Sequence, residues 1–208
     1  MNRFDCLRLL APKVDDDLVV TNLGGVAREW YHLKDRDANL YQPYLGHATP
    51  LAFGLALALP HRRVLCLDGD GSMLLTLTVL PVIASQNPPN LKVFVFDNQS
   101  YEATGGLPTL TQAGTDLAVM AKGAGFHFAR SVTSLDEFEM AADEAFRSEN
   151  ASFISARVEI STQRFPYPSL FGMENRFRFI RHIERAEKIQ IFKPPTKALP
   201  QDKMIQMK

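Results

Sequence analysis

Two short polar stretches, each at the end of an apolar run, hold the residues best suited to chemistry. Gly69-Asp70-Gly71-Ser72 follows RVLCLD, and Asp97-Asn98 follows KVFVF. Hard divalent cations such as Mg²⁺ prefer oxygen ligands and share them with phosphates. Glycines beside Asp70 let a backbone approach a phosphate closely, and the helix expected after Ser72 adds its positive end. Together the two stretches predict a metal-bridged diphosphate site.

Such a site requires that both stretches lie at one edge of a sheet. Four apolar or β-branched runs predict strands at residues 18–21, 63–68, 92–97 and 152–159. The second and third runs are apolar on both faces, as is typical of strands in a covered parallel sheet. Helical patterns lie between the runs, so we predict an α/β fold with a doubly wound, mostly parallel sheet and helices on both faces. Ligands bind at the carboxyl ends of such strands, where both polar stretches are expected.

Capping patterns indicate where helices begin. Thr49-Pro50 predicts an N-cap and a first-turn proline ahead of LAFGLALAL. Ser134 and Glu137 form a capping-box pattern that opens EFEMAADEAFRSE. With the helices predicted after Thr78 and Thr115, these segments supply the crossovers between strands.

The composition argues against several classes of protein. Lysine plus arginine and aspartate plus glutamate each number 23, so the net charge favours neither nucleic acid nor an anionic membrane as a partner. Cys6 and Cys66 are isolated in sequence, which argues against a disulfide framework or a cysteine-ligated cluster. The N-terminus lacks a signal-peptide pattern, and no apolar run reaches the length of a membrane span. We therefore expect a cytoplasmic protein.

The length of 208 residues suits one domain with a short extension. Residues 1–175 are predicted to form the diphosphate-binding domain. Residues 176–208 are basic and carry prolines late, so we predict a C-terminal extension. That extension is either a helix with a solvated tail or a subunit contact.

The two polar stretches also resemble the thiamine diphosphate motif, in which GDG is followed by an Asn-containing pair after the next strand. Residues 18–113 are similar to the cofactor domains of phosphonopyruvate decarboxylase and of sulfopyruvate decarboxylase β subunits. The similarity is carried by TNLGGVAREWYHLKDRDANLY, YLGHATPLAFGLALALP, the GDGS block and FDNQSYEATGGLPT. The resemblance implies thiamine diphosphate and Mg²⁺ as cofactors. It also implies decarboxylation of a small 2-oxo acid that has an anionic head group.

By this resemblance, three residues would ligate the metal: the side chains of Asp70 and Asn98 and the carbonyl of Ser100. Gly46 would accept a hydrogen bond from the amino group of the cofactor, and Ser72 would contact its diphosphate. The full predicted cofactor set is Gly46, His47, Gly69, Asp70, Gly71, Ser72, Asn98, Ser100 and Tyr101.

One loop departs from the family pattern. The family commonly has Gly-Ser-Met-Gly where this chain has Gly46-His47-Ala48-Thr49. The bulky residue of that motif supports the bent cofactor, and Ala48 is too short to do so. A neighbour such as Leu51 would have to substitute, or the loop would have to fold differently. His47 lies in this loop, where either packing or a catalytic role in proton transfer or substrate-anion binding fits it.

Two other features concern the stretch after the metal loop. The TGGQPT of the family is TGGLPT here, with Leu107 in place of glutamine, which leaves the substrate head group open. Glu102 follows Tyr101 and is either a solvent-facing charge or a second catalytic candidate.

Enzymes of this class use a glutamate from another domain to protonate the pyrimidine ring of the cofactor. Residues 1–17 precede the first predicted strand and are too few for such a domain. Glu29 is expected near the diphosphate end and is a poor candidate. The resemblance therefore implies a shared active site, with a partner chain that supplies a pyrimidine-binding domain. It also implies an apolar docking face, through which the lone chain would self-associate.

Three functions remain open from the sequence. The first is the cofactor-binding subunit of a two-subunit 2-oxo acid decarboxylase. The second is the β subunit of a 2-oxo acid ferredoxin oxidoreductase, which would need iron–sulfur wiring. The third is a non-catalytic partner, an idea suggested by Ala48 and Leu107 and opposed by the intact Asp70, Ser72 and Asn98.

Overall fold

The computed structural model describes residues 1–41, 44–161, 163–168 and 172–192. Six strands are found within these residues: β1 Leu18–Thr21, β2 Asn39–Tyr41, β3 Val64–Gly69, β4 Leu91–Asp97, β5 Phe128–Val132 and β6 Ser152–Arg157. All of their pairings are parallel, in the order β2-β1-β3-β4-β6-β5.

Eight α-helices are found in the same part of the chain: α1 Arg3–Leu10, α2 Gly25–Lys34, α3 Ala48–Ala58, α4 Asp70–Leu74, α5 Val79–Gln86, α6 Leu117–Gly123, α7 Leu135–Arg147 and α8 Gly172–Glu187. They cover both faces of the sheet. Along β3, Val64 and Cys66 join one core cluster, with α3, α5, α6 and α8. Leu65 and Leu67 join the other, with α1, α2 and α7. This alternation confirms the predicted doubly wound α/β fold.

The chain reverses its direction across the sheet between β1 and β3. From β1 it passes outward to the edge strand β2, whereas from β3 it passes to β4 on the other side. Loops that leave neighbouring strands in opposite directions open a crevice at the carboxyl ends of those strands. The Gly69–Ser72 turn follows β3 at this crevice, and Asn98 follows β4.

The sequence predicted β1, β3, β4 and β6 to within two residues at each end. It missed β2 and β5, which are the two edges of the sheet. β2 is only three residues long, and β5 carries the exposed side chains of Arg130 and Ser131. Both strands therefore lack the run of apolar residues that made the central strands visible.

The predicted helix starts had mixed outcomes. The capping box of Ser134 and Glu137 is confirmed, with both reciprocal hydrogen bonds present. The prediction that Thr49 caps α3 is wrong, because the N-cap position is His47. Thr49 is instead buried, and its hydroxyl donates a hydrogen bond to the Asp68 carboxylate at 2.7 Å. Similarly, α4 begins at Asp70 and not after Ser72.

The predicted domain boundary between residues 175 and 176 falls inside α8. Asn175 is 1% exposed, and its side-chain amide pairs with the free edge of β2. Its Oδ1 accepts from Tyr41 N at 2.9 Å, and its Nδ2 donates to Asn39 O at 3.0 Å. α8 is thereby joined to the sheet, whereas residues 193–208 of the predicted extension lie outside the described residues.

None of the helices in the described part of the chain has the length and apolar content that crossing a membrane would require.

Candidate cofactor site

A cleft lies at the carboxyl ends of β1, β3 and β4. Most of the predicted site residues line it: Gly69, Asp70, Gly71, Ser72, Asn98, Ser100, Tyr101 and Glu102. Gly46 and His47, from the loop before α3, are not among the lining residues. The turn after β3 and the loop after β4 therefore meet as predicted.

Asp70 is the buried carboxylate of the cleft, with 2% of its surface exposed. Its Oδ2 accepts a hydrogen bond from Thr109 at 2.6 Å, and the Thr111 hydroxyl lies 3.3 Å away. Thr111 also donates to Asp97 at 2.7 Å. Burial and, to a lesser extent, the charge of Asp97 raise the pKa of the Asp70 carboxyl to about 6, although the Thr109 hydrogen bond lowers it. A divalent cation beside Asp70 would offset both unfavourable effects.

The loop after β4 presents Asn98 and Ser100, both 8% exposed. Asn98 Oδ1 accepts from the Ser100 backbone N–H at 3.1 Å, and Asn98 Nδ2 donates to Glu102 at 2.9 Å. Gln99, which lies between Asn98 and Ser100, has a φ of 59°, a left-handed backbone conformation that is uncommon for a residue with a side chain of this size. The hydroxyl of Ser100 is buried and has no hydrogen-bond partner among the described residues.

The hydroxyl of Ser72 is engaged inside the protein. It accepts a hydrogen bond from Gly46 N at 2.9 Å and also hydrogen-bonds to Asp68, a fully buried carboxylate. Burial raises the pKa of the Asp68 carboxyl, while the hydrogen bonds from Ser72 and Thr49 lower it. The Ser72 side chain thus ties the α4 turn to the loop before α3. A diphosphate contact from Ser72, which remains a prediction, would therefore use its backbone.

The loop before α3 corrects the expectation for Ala48. Leu45 lines the cleft beside Ser72, whereas Ala48 is fully buried in the core as the first residue of α3. Gly46 has a φ of 77°, which turns the chain between these two environments. The bulky side chain at the cleft is therefore Leu45, which precedes Gly46 and was not considered from the sequence.

His47 and Leu51 lie outside the cleft. His47 is exposed, and its Nδ1 is 2.8 Å from the Leu45 carbonyl. Both residues line a separate, mainly apolar groove between α3 and α8. Leu51 therefore does not replace the missing bulky residue, and this arrangement gives no support to a catalytic role for His47.

Gly71 leaves space for an aromatic ring. A Cβ atom on Gly71 would lie 2.5 Å from Tyr101 Cε1, so the Tyr101 ring packs directly on the GDG turn. The expectation that Gly71 admits a phosphate remains a prediction; in the structure, its missing side chain makes room for Tyr101 of the loop after β4.

The segment after β1 contributes residues that sequence reasoning missed. Asn22, Leu23, Gly25 and Val26 line the cleft, and α2 begins there without a side-chain cap. Asn22 is buried, and within the part of the chain that the structure describes its Oδ1 has no hydrogen-bond partner. Free N–H groups at the start of a helix bind anions. The signal was the stretch TNLGG, a polar and glycine-rich turn between an apolar run and a helix.

Arg3, from the N-terminal helix, was also missed. It lines the cleft, is 4% exposed and donates two hydrogen bonds to Glu29, at 2.9 and 2.8 Å. A third donor of Arg3 reaches Glu102 at 3.3 Å. Both oxygens of Glu29 are engaged by Arg3, which agrees with the expectation that Glu29 does not activate a cofactor ring.

The cleft fits a metal-bound diphosphate in its donor chemistry. It combines a buried carboxylate, the amide oxygens of Asn98 and Asn22, and the free N–H groups at the start of α2. No group of three or more His, Cys, Asp or Glu side chains in the described ranges could hold a metal by itself. A cation here would therefore need amide and carbonyl oxygens and a phosphate besides Asp70, as Mg²⁺ sites commonly do.

Comparisons with known proteins agree with this chemistry. The sequence profile of the thiamine pyrophosphate enzyme, C-terminal TPP binding domain, matches residues 28–156. The chain belongs to this family. Its membership confirms the predicted resemblance, the thiamine-diphosphate cofactor and the assignment as a thiamine-diphosphate-dependent enzyme.

Two relatives of this chain differ in how much of their own length it covers. The sulfopyruvate decarboxylase β subunit of Methanocaldococcus jannaschii is 31% identical over 186 residues, which cover 88% of this chain and 98% of that protein. Phosphonopyruvate decarboxylase of Streptomyces viridochromogenes is 36% identical over 152 residues, which cover 73% of this chain but 38% of that protein. This chain therefore resembles one subunit as a whole and one part of a longer enzyme.

A solved structure confirms the fold. Benzoylformate decarboxylase from Polynucleobacter necessarius superposes with a TM-score of 0.64 at 22% identity, covering 81% of this chain and 34% of that chain. This chain thus spans about a third of the length of the solved structure. At this identity the similarity concerns the fold alone.

Proposed function

We propose that this chain is the thiamine-diphosphate- and Mg²⁺-binding subunit of a two-subunit 2-oxo acid decarboxylase. The observation that carries the proposal is the buried Asp70 carboxylate in one cleft with Asn98 and Ser100, at the crevice where the chain reverses direction. The names of the relatives, sulfopyruvate and phosphonopyruvate decarboxylase, point to a small 2-oxo acid with a second anionic group as substrate.

The residues of this chain would hold the diphosphate end of the cofactor. Asp70, the Asn98 amide oxygen and the Ser100 carbonyl would ligate Mg²⁺, and the N–H groups at the starts of α2 and α4 would bind the phosphate oxygens. When bound, thiamine diphosphate supplies the carbon nucleophile and the electron sink that decarboxylation of a 2-oxo acid requires.

Leu45 and Gly46 would orient the rest of the cofactor. Leu45 is the bulky apolar residue that the loop before α3 contributes to the cleft, so its side chain would support the bent cofactor. The Gly46 carbonyl would accept a hydrogen bond from the amino group of the pyrimidine ring. The Ser72 hydroxyl fixes this loop through Gly46 N.

A partner chain would supply the glutamic acid side chain that protonates the pyrimidine ring. Asp70 and Glu102 are the carboxylates among the described residues that line the cleft, and both lie at the predicted metal end. Glu29 is engaged by Arg3. The relative that this chain matches over nearly its whole length is a subunit designated β, which supports the proposal of a second chain.

The oxidoreductase alternative has no structural support. Cys6 and Cys66 are both buried, and they belong to core clusters on opposite faces of the sheet. They therefore cannot bind one iron–sulfur cluster together.

Calorimetric titration tests the proposed cofactor. The chain, together with its partner subunit, is titrated with thiamine diphosphate in Mg²⁺ and again after removal of divalent metal with EDTA. We expect saturable binding only when the metal is present. Binding of equal strength without metal, or no binding in either condition, would overturn the proposal.

A further inference from the structure

The N-terminal helix places a buried cation at the cofactor cleft. The Arg3 guanidinium forms a two-pronged pair with Glu29, and the two side chains are 4% and 2% exposed. Burial lowers the pKa of Arg3, but the hydrogen bonds and charges of Glu29 and Glu102 outweigh this effect and raise it. Arg3 is therefore a permanent cation, and its two-pronged geometry fixes the plane of the guanidinium.

The packing around Arg3 leaves it little freedom. A Cβ atom built on Gly25 would lie 2.0 Å from Arg3 Nη2 and 2.7 Å from Arg3 Cζ. The guanidinium therefore occupies the space where any other residue at position 25 would place its side chain. Gly25 is the first residue of α2 and lines the same cleft.

From this fixed position Arg3 reaches a predicted metal ligand through one intermediate. Its Nη1 lies 3.3 Å from Glu102 Oε2, and Asn98 Nδ2 donates to the same oxygen at 2.9 Å. The chain of contacts runs from Glu29 through Arg3 and Glu102 to Asn98. It joins α1 and α2 to the loop after β4.

This chain of contacts favours one orientation of the Asn98 amide, the same orientation that the Ser100 N–H favours by donating to Oδ1 at 3.1 Å. A side-chain amide has a donor end and an acceptor end, and a cation is bound by the oxygen and repelled by the NH₂ group. Because the Glu102 carboxylate takes the NH₂ group, Oδ1 is the atom left for a metal. Without that carboxylate, the hydrogen bond from the Ser100 N–H to Oδ1 would have to hold this orientation by itself, so the amide would rotate more readily and present NH₂.

We propose that Arg3 is a positioning residue for the metal site: it holds the Glu102 carboxylate, which orients the Asn98 amide with its oxygen available to Mg²⁺. The inference rests on the proposed function, since it assumes that Asn98 ligates a metal that holds the cofactor. It assigns Glu102 a positioning role, in place of the catalytic role that the sequence left open.

The test measures the Mg²⁺ concentration that gives half-maximal binding of thiamine diphosphate, by calorimetry, on the chain with its partner. Arg3→Met removes the cation, Arg3→Lys keeps the charge, and Glu102→Leu removes the intermediate. Arg63→Met is the matched control, because Arg63 makes a comparable two-pronged pair with the buried Asp17 at the other end of β3. Thermal unfolding of each variant is measured in EDTA.

We expect Arg3→Met and Glu102→Leu each to raise the half-maximal Mg²⁺ concentration roughly tenfold, the scale of one lost hydrogen bond to a charged group. Arg3→Lys should recover part of this loss. The double variant should show no more than either single change, since both act through Asn98. Arg63→Met should lower the unfolding temperature without changing the metal requirement.

Two results would overturn the positioning role. One is an unchanged metal requirement in Arg3→Met, and the other is an equal rise in Arg63→Met, which would indicate a general loss of stability. If Arg3→Met does not fold, the result for Glu102→Leu decides alone. The Glu102 side chain is 24% exposed, so its replacement should disturb the core little. Failure of the unmodified complex to bind the cofactor would instead refute the proposed function.

Discussion

The two ends of the cleft differ in how far this chain completes them. At the metal end, Asp70, Asn98 and Ser100 are buried, and hydrogen bonds with Thr109 and Glu102 hold Asp70 and Asn98 in place. At the other end, Gly46 lies in the loop between Tyr44 and His47, and both of these side chains are exposed. The difference supports the proposal that this chain binds the diphosphate, whereas a partner chain supplies the environment of the pyrimidine ring.

The largest effect is expected from a substitution at the metal end of the cleft. Asp70→Ala removes the buried carboxylate, so Mg²⁺-dependent binding of thiamine diphosphate should be lost in calorimetric titration. The fold should persist, because Asp70 is the first residue of the short helix α4 and its side chain hydrogen-bonds to two threonines. Asp116→Ala is the control: it removes the N-cap of α6 and should cost about 1 kcal/mol of stability without affecting binding. Unchanged affinity in Asp70→Ala would remove the metal assignment.

A second prediction compares two leucines near the loop before α3, of which one lines the cleft and the other does not. Leu45→Ala should reduce kcat on the order of 10²-fold with little change in cofactor affinity, because a small misplacement of the reacting atoms is costly. Leu51→Ala should leave kcat unchanged, since Leu51 lines a different groove. Steady-state kinetics of both variants in the complex would decide. The reverse order of effects would return the supporting role to Leu51.

A third change disturbs the contact between the two loops of the metal end. In Gly71→Ala the new methyl group would collide with the Tyr101 ring, at 2.5 Å, and displace the segment that carries Ser100 and Glu102. Cofactor affinity should fall roughly tenfold, as when one strong polar contact is lost. Gly54→Ala is matched to it, because a Cβ there meets nothing within 4 Å and a helical alanine is favourable by up to about 1 kcal/mol. Equal affinity in the two variants would contradict this reading of Gly71.

The smallest expected effect concerns stability. Ala48→Met places a long side chain at a position that is 0% exposed in the core, so overpacking should lower the free energy of unfolding by about 1–3 kcal/mol. Chemical denaturation of the isolated chain measures it. A stability that is unchanged, accompanied by a gain in turnover, would mean that position 48 faces the cofactor after all.

The sequence predicted the metal end of the cleft better than the other end. The central strands are apolar on both faces, so β3 and β4 and the polar turns after them could be located by pattern alone. The GDGS turn and Asp97-Asn98 are local in sequence, and the fold brings them to the same edge. Their roles as metal and cofactor ligands remain predictions, as does the cytoplasmic setting.

Contacts between residues far apart in the chain could not be predicted from the sequence. Arg3 meets Glu29 and Glu102 only after α1 has packed beside α2, and nothing in the stretch NRFDC indicates that contact. The position of the bulky residue in the loop before α3 differs from the expectation for another reason. Matching it to the family motif placed the bulky position at Ala48, whereas the positive φ of Gly46 and the start of α3 place Leu45 at the cleft and Ala48 in the core.

The central claim is that this chain binds the cofactor but shares its active site. The most direct measurement is cofactor-dependent CO₂ release from sulfopyruvate, phosphonopyruvate and pyruvate, first by the isolated chain and then with the partner subunit added. We expect no turnover above background from the chain alone, even when it is saturated with Mg²⁺ and thiamine diphosphate, and turnover when the partner is present. Robust decarboxylation by the isolated chain would contradict the account, because a carboxylate that activates the pyrimidine ring would then have to lie within it.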